Sequence, residues 1–126
     1  MKRFLMPALF LVFTSCFIFD SGDQIEFSDD LEVLYQDILR LAESQPCTDP
    51  KDWSFIALGS KPCGGPWEYI AYPKSINIPE FLAKVKRYNE LQQEDNIKNN
   101  RYSDCMFVSP PKSVACENSK PVLLYE

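Results

Sequence analysis

The stretch WSFIALGSKPCGGPWEYIAY (residues 53–72) decides the fold. Residues 53–58 and 68–72 are short aromatic and β-branched runs, the composition of strands. Between them lie two prolines, three glycines and a cysteine in residues 59–66. Such a segment continues neither a helix nor a central strand, so it is a loop. The simplest topology is an antiparallel hairpin with a long, constrained tip. In the second run Tyr69 and Ala71 share one face, and Glu68, Ile70 and Tyr72 the other. Neither face is wholly polar, so this strand is expected to be covered on both sides.

The tip invites functional readings. Phosphate-binding loops use glycine to bring backbone N–H groups to an anion. Here there is no GxGxxG, no GKS/T and no helix directly after Pro66, so a structural turn is the better reading. An inhibitor-like loop would present Lys61 beside a disulfide. Pro62 follows Lys61 directly and argues against cleavage of that bond as a substrate.

The helices flank this centre. Leu31, Leu34, Tyr35, Ile38, Leu41 and Ala42 recur at helical spacing, with Asp29 placed as N-cap and Glu32 three residues on. Pro46 stops this helix by Gln45. A second helix starts at Asn77, with Glu80 at the capping-box position and Ile76 and Phe81 as a hydrophobic staple. Phe81, Leu82, Val85, Tyr88 and Leu91 form its buried stripe, and it is expected to run to about Gln93. Asp95, Asn96 and Asn99 are oxygen-rich, but the motif lacks the glycine and closing glutamate of an EF-hand. After Pro110-Pro111, residues 113–116 and 121–125 are β-like, joined through residues 117–120 as a hairpin. The expected fold is therefore α+β: two helices packed on a small antiparallel sheet of about four strands, stapled by disulfides.

Export is written at the start. Lys2 and Arg3 precede an apolar run at residues 4–13, and small residues precede Cys16, the order of a signal peptide. The apolar run to Phe19 is slightly short of the roughly 20 residues of a membrane span, and an uncleaved anchor is kept as a further alternative. Phe13-Thr14-Ser15-Cys16 resembles a bacterial lipoprotein box, with Phe13 where leucine is usual. That resemblance implies lipidation of Cys16 and a tether of acyl chains. The alternative is ordinary cleavage that discards Cys16. The expected domains are a signal peptide (1–15), a polar spacer (16–28) and one folded domain (29–126).

Five cysteines are present. Setting Cys16 aside leaves Cys47, Cys63, Cys105 and Cys116, an even number that reads as two disulfides. Three connectivities are open, and the sequential one, Cys47 with Cys63 and Cys105 with Cys116, is favoured. Each bridge would then close a loop of about 10 to 20 residues, worth roughly 3 kcal/mol in the chain-entropy model. The spacing has no CxxC, so no metal is expected.

Charge and composition narrow the function. The formal net charge is −5, and loss of Lys2 and Arg3 leaves 11 basic against 18 acidic residues. This is no footprint for nucleic acid. There is no histidine, which excludes Ser-His and Cys-His pairs and histidine metal sites. The favoured function is a non-enzymatic binding or inhibitor-like module of the cell envelope, monomeric and without cofactor, meeting a protein or glycan partner. The candidate contact residues are Ser60, Lys61, Gly64, Gly65, Trp67 and Tyr69, with Trp53 and Tyr72 as further aromatics; for any one of the four aromatics a place in the core is the stronger reading. The alternative is a small hydrolase using paired carboxylates, for which Glu68 and Asp104 are the acids beside ordered landmarks.

The spaced set of Cys47, Trp53, GSKPCGGPWEYIAYP, YSDC, Pro111, Val114 and Cys116 resembles a family of small exported and lipoprotein-like proteins of Bacteroidota-type bacteria. The resemblance covers roughly residues 46–125. Residues 61–66 and 103–105 are its most specific parts. It implies an exported, disulfide-containing domain and carries over no catalytic residue.

Overall fold

The computed structural model describes residues 22–126, with side chains from residue 30 onward. The expected signal peptide and Cys16 lie outside the described residues. The element order is α1 (Gly22–Ala42), a 3-10 turn (Pro50–Asp52), β1 (Trp53–Leu58), β2 (Glu68–Pro73), α2 (Ile78–Lys98), β3 (Ser113–Glu117) and β4 (Lys120–Leu124). The fold is α+β and carries two disulfides. The four strands form two separate antiparallel hairpins, β1–β2 and β3–β4.

The first hairpin is the shared layer. Trp53 lies opposite Pro73 and Leu58 opposite Glu68. Even-numbered residues of both strands turn to the helices. Leu58 and Tyr72 are buried with Ile38 and Ala42 of α1 and Phe81 and Val85 of α2, and Ile56 and Ile70 pack against them. The Tyr72 and Phe81 rings meet at 4.7 Å. β3 lies along β1 and β4 along β2, so β2 has α1 and β4 as neighbours, as its two mixed faces require.

α2 starts as expected: the Asn77 side chain accepts a hydrogen bond from the Glu80 N–H at 3.2 Å, and Ile76 reaches the core beside Phe81. It runs on to Lys98, beyond the expected end near Gln93. Asn96 explains this, because it is buried and donates to the Ser60 carbonyl at 2.7 Å. α1 begins at Gly22, so Asp29 is not its N-cap and residues 22–28 are helix rather than spacer. After Gly22 that segment holds neither glycine nor proline, and nothing in it stops a helix already nucleated downstream.

The second hairpin turns more tightly than expected. Glu117 pairs with Lys120, leaving only Asn118 and Ser119 in the turn, both with positive φ. That is the two-residue geometry whose twist matches the strands, and Asn tolerates it. The Ser119 carbonyl accepts from the Cys47 N–H at 2.9 Å.

The sequential disulfide pairing is corrected. Cys47 bonds Cys116, and Cys63 bonds Cys105, with Cα atoms 5.3 and 5.4 Å apart. The hairpin stacking is the reason: it brings β3 to the segment before β1, while the tip of the first hairpin reaches the segment after α2. The bridges span 69 and 42 residues. Longer loops raise the chain-entropy stabilisation to about 4 kcal/mol each.

Gly59 closes the path from β1 into the tip. Its φ is +86°, and a Cβ there would stand 2.8 Å from Gln92 Oε1 and 3.0 Å from Trp67.

Two predictions test this architecture. Peptide mapping of the oxidised protein without reduction yields a 47–116 and a 63–105 fragment, and the Cys47→Ala/Cys116→Ala variant loses about 2–5 kcal/mol in denaturant unfolding. Gly59→Ala destabilises by about 1–3 kcal/mol, because left-handed backbone and a close neighbour oppose the methyl group together.

Candidate functional site

The hairpin tip and the segment between α2 and β3 (residues 99–112) form one unit around Lys61. Lys61 is only 4 % exposed. A lysine ammonium is buried only when paired. Nζ donates to Asp104 Oδ1 at 2.7 Å and to the Met106 carbonyl at 3.1 Å. It also lies 5.1 Å from the centroid of the Trp67 ring, within cation–π range. Asp104 in turn accepts from the Met106 N–H at 3.1 Å. The Cys63–Cys105 bridge ties the same two segments covalently.

The tip owes its shape to local bonds. The Lys61 N–H donates to the Gly65 carbonyl, and the Gly64 N–H to the Lys61 carbonyl, both at 2.9 Å. Gly64 and Gly65 both have positive φ and stand exposed at the apex. Ser60 is occupied internally: its N–H donates to Gln92, its hydroxyl to the Asn89 carbonyl, and its own carbonyl accepts from Asn96.

The expected contact residues therefore separate. Lys61, one of those candidates, is buried and paired as an internal cation and is not presented to solvent as a basic finger. Trp53 and Tyr72 are buried. Tyr69 is half-buried and meets Phe55 edge-on at 6.3 Å. Trp67 remains open, at 42 % exposure.

The two acids of the hydrolase alternative have different partners. Asp104 serves Lys61. Glu68 accepts from the Tyr35 hydroxyl at 3.2 Å. Burial, and then Glu68, raises the Tyr35 phenol above its ordinary value. The Lys61 hydrogen bond, followed by the Met106 N–H, lowers Asp104 below the usual carboxylate range. A carboxyl held ionised in this way is poorly suited to donate a proton. Asp95, one of the oxygen-rich residues of α2, bonds Asn99 and Arg101.

The side chains that stand out are ones the sequence did not propose as contact residues, although Tyr102 opens the YSDC motif. Tyr102, Met106 and Phe107 are 94, 75 and 82 % exposed on residues 99–112. Met106 and Phe107 follow a cysteine directly and lie in no periodic run, so nothing in their pattern separates an exposed pair from a buried one. Comparisons with models of known protein families, with curated proteins and with solved structures give no match.

The pH response of this unit has a definite sign. Asp104 is depressed when folded, so its contribution is present above the ordinary carboxylate range and is lost as pH falls through the depressed value. Asp104→Asn removes that acid-side dependence. It also speeds amide exchange across residues 103–107 at neutral pH, measured by hydrogen exchange, because the Lys61 ammonium then lacks its counter-ion.

Proposed function

We propose that this chain is an exported, lipid-anchored protein of the cell envelope whose folded domain is a non-enzymatic binding module. One observation carries this reading: three large apolar side chains are exposed on a segment held by a disulfide and by a buried cation. Exposed apolar groups on soluble domains mark contact surfaces when they are clustered. Loops fixed on a rigid scaffold are where binding residues concentrate. Holding the segment in place lowers the entropy lost when a partner docks. Tyr102, Met106 and Phe107 are the contact residues, with Trp67 beside the Lys61 anchor.

The compartment rests on two supports. Two disulfides are compatible with an oxidising, non-cytoplasmic environment. The basic, apolar and small-residue order before Cys16 supports export and lipidation. The partner is a protein or glycan at the envelope, met by one copy of the chain. The separate partners of Glu68 and Asp104 weigh against the hydrolase reading.

Two measurements test the proposal. The intact mass of the native membrane-fraction protein is expected to begin at Cys16 with acyl chains and to gain four alkyl groups only after reduction. A lipid-free mass beginning beyond Cys16 overturns the anchor. A photo-crosslinking residue at Phe107 is expected to give one discrete adduct in cells, abolished by Tyr102→Ser/Met106→Ser. The same residue at Glu43 gives none. Equal adducts at both positions sink the contact surface.

A further inference from the structure

The two disulfides stand in different surroundings. Cys47 is only 2 % exposed, and Cys116 on β3 is half-buried. Cys63 and Cys105 are both exposed. Nothing crowds the apex beside Cys63, where a Cβ built on Gly64 or Gly65 would meet no heavy atom within 4 Å. Thiol–disulfide exchange needs a thiolate to reach a sulfur, so access decides which bridge reacts in the folded protein. The 63–105 bridge is open to such attack. Attack on 47–116 would release a Cys47 thiolate into the interior, where burial disfavours the charged form.

The accessible bridge is also the covalent hold on the segment that carries Tyr102, Met106 and Phe107. Residues 99–112 contain no helix or strand. Their ends are fixed elsewhere: the Arg101 N–H donates to the Asn96 carbonyl at 3.0 Å, and the Lys112 N–H to the Leu124 carbonyl at 2.7 Å. Among the described residues, only three hydrogen bonds join residues 102–111 to the rest of the domain. Two are those of Lys61 to Asp104 and Met106, and the third runs from the Cys63 N–H to Ser103 Oγ at 3.5 Å. The Asp104 side chain is exposed, so water screens its pairing with Lys61.

We propose that Cys63–Cys105 is a redox modification site, opened by a dithiol reductant while Cys47–Cys116 keeps the domain folded, and that its opening releases the contact surface. One thiolate of the reductant attacks a bridge sulfur and forms a mixed disulfide. The S–S bond breaks, and the other cysteine leaves as a thiolate that takes up a proton. The second thiol of the reductant then displaces the first cysteine. Two electrons have passed to the bridge, which becomes two thiols, and the reductant becomes a cyclic disulfide. Residues 102–111 are left with the bonds of Lys61 and Ser103 alone. Those bonds keep the two thiols near each other, and a small disulfide such as oxidised glutathione closes the bridge by the reverse steps. The proposal rests on the binding reading only for what the released surface does.

The test treats the folded, oxidised protein with dithiothreitol at neutral pH, quenches with iodoacetamide at intervals and maps the alkylated peptides. The first two labels are expected at Cys63 and Cys105, with 47–116 reduced at least about tenfold more slowly because it awaits opening of the domain. In the doubly labelled species, backbone order parameters at residues 102–108 are expected to fall below about 0.6, while those of β1, β2 and α2 stay in the rigid range. The Cys63→Ala/Cys105→Ala variant is expected to show the same loss of order without reductant. Equal reduction of both bridges, first labels at Cys47 and Cys116, or unchanged order at residues 102–108 overturns the proposal. These readouts need no partner, so they fail or succeed independently of the contact surface. Where the wild-type protein gives the Phe107 adduct, the variant is expected to give less of it, and an undiminished adduct overturns the release of that surface.

Discussion

A lysine ammonium withdrawn from water must be paired, and the outer half of this molecule is arranged to meet that demand. Lys61 sits where the hairpin tip, Trp67 and the segment after α2 converge. Its two oxygen partners come from a stretch without regular structure, which by itself has little reason to hold one conformation. The ion pair and the neighbouring bridge together supply that reason. They fix the backbone of residues 103–106 and leave the flanking apolar side chains to face solvent.

The inner half follows from the first hairpin. Its even-numbered residues meet both helices and its other face receives the second hairpin. α2 joins the two halves. Phe81 and Val85 belong to the core, whereas Asn89, Gln92 and Asn96 hold Gly59 and Ser60 by hydrogen bonds. A single helix thus packs the sheet with its first turns and positions the tip with its last. Those late polar contacts extend it to Lys98.

Much of this was legible in the sequence because it depends on neighbours in the chain. The Asn77 cap, the α2 stripe, both strand pairs and the even cysteine count in residues 30–126 are local signals. What was not legible depends on contacts distant in the chain. Cysteine pairing follows from how the hairpins stack. A lysine in a Gly/Pro-rich turn reads as solvated, and only Asp104, far along the chain, reveals that Lys61 is internal. The turn at Asn118 and Ser119 is visible in the sequence but not its tightness, because Ser119 gives a weak signal for positive φ. Of the candidate contact residues, Trp67 stays open, while Tyr69 and Ser60 are absorbed by packing and hydrogen bonding. Met106 and Phe107 offered no pattern to read.

The two disulfides are nested: the 63–105 bridge lies wholly inside the loop closed by the 47–116 bridge. A chain emerging N-terminus first into an oxidising medium presents Cys47 and Cys63 together, long before either native partner. Their mutual pairing is the kinetically convenient product and the wrong one. Native connectivity then requires either that oxidation wait until α2 and the second hairpin have docked, or that an early bridge be reopened by thiol–disulfide exchange. A host that makes this protein efficiently is thus expected to supply isomerising as well as oxidising capacity.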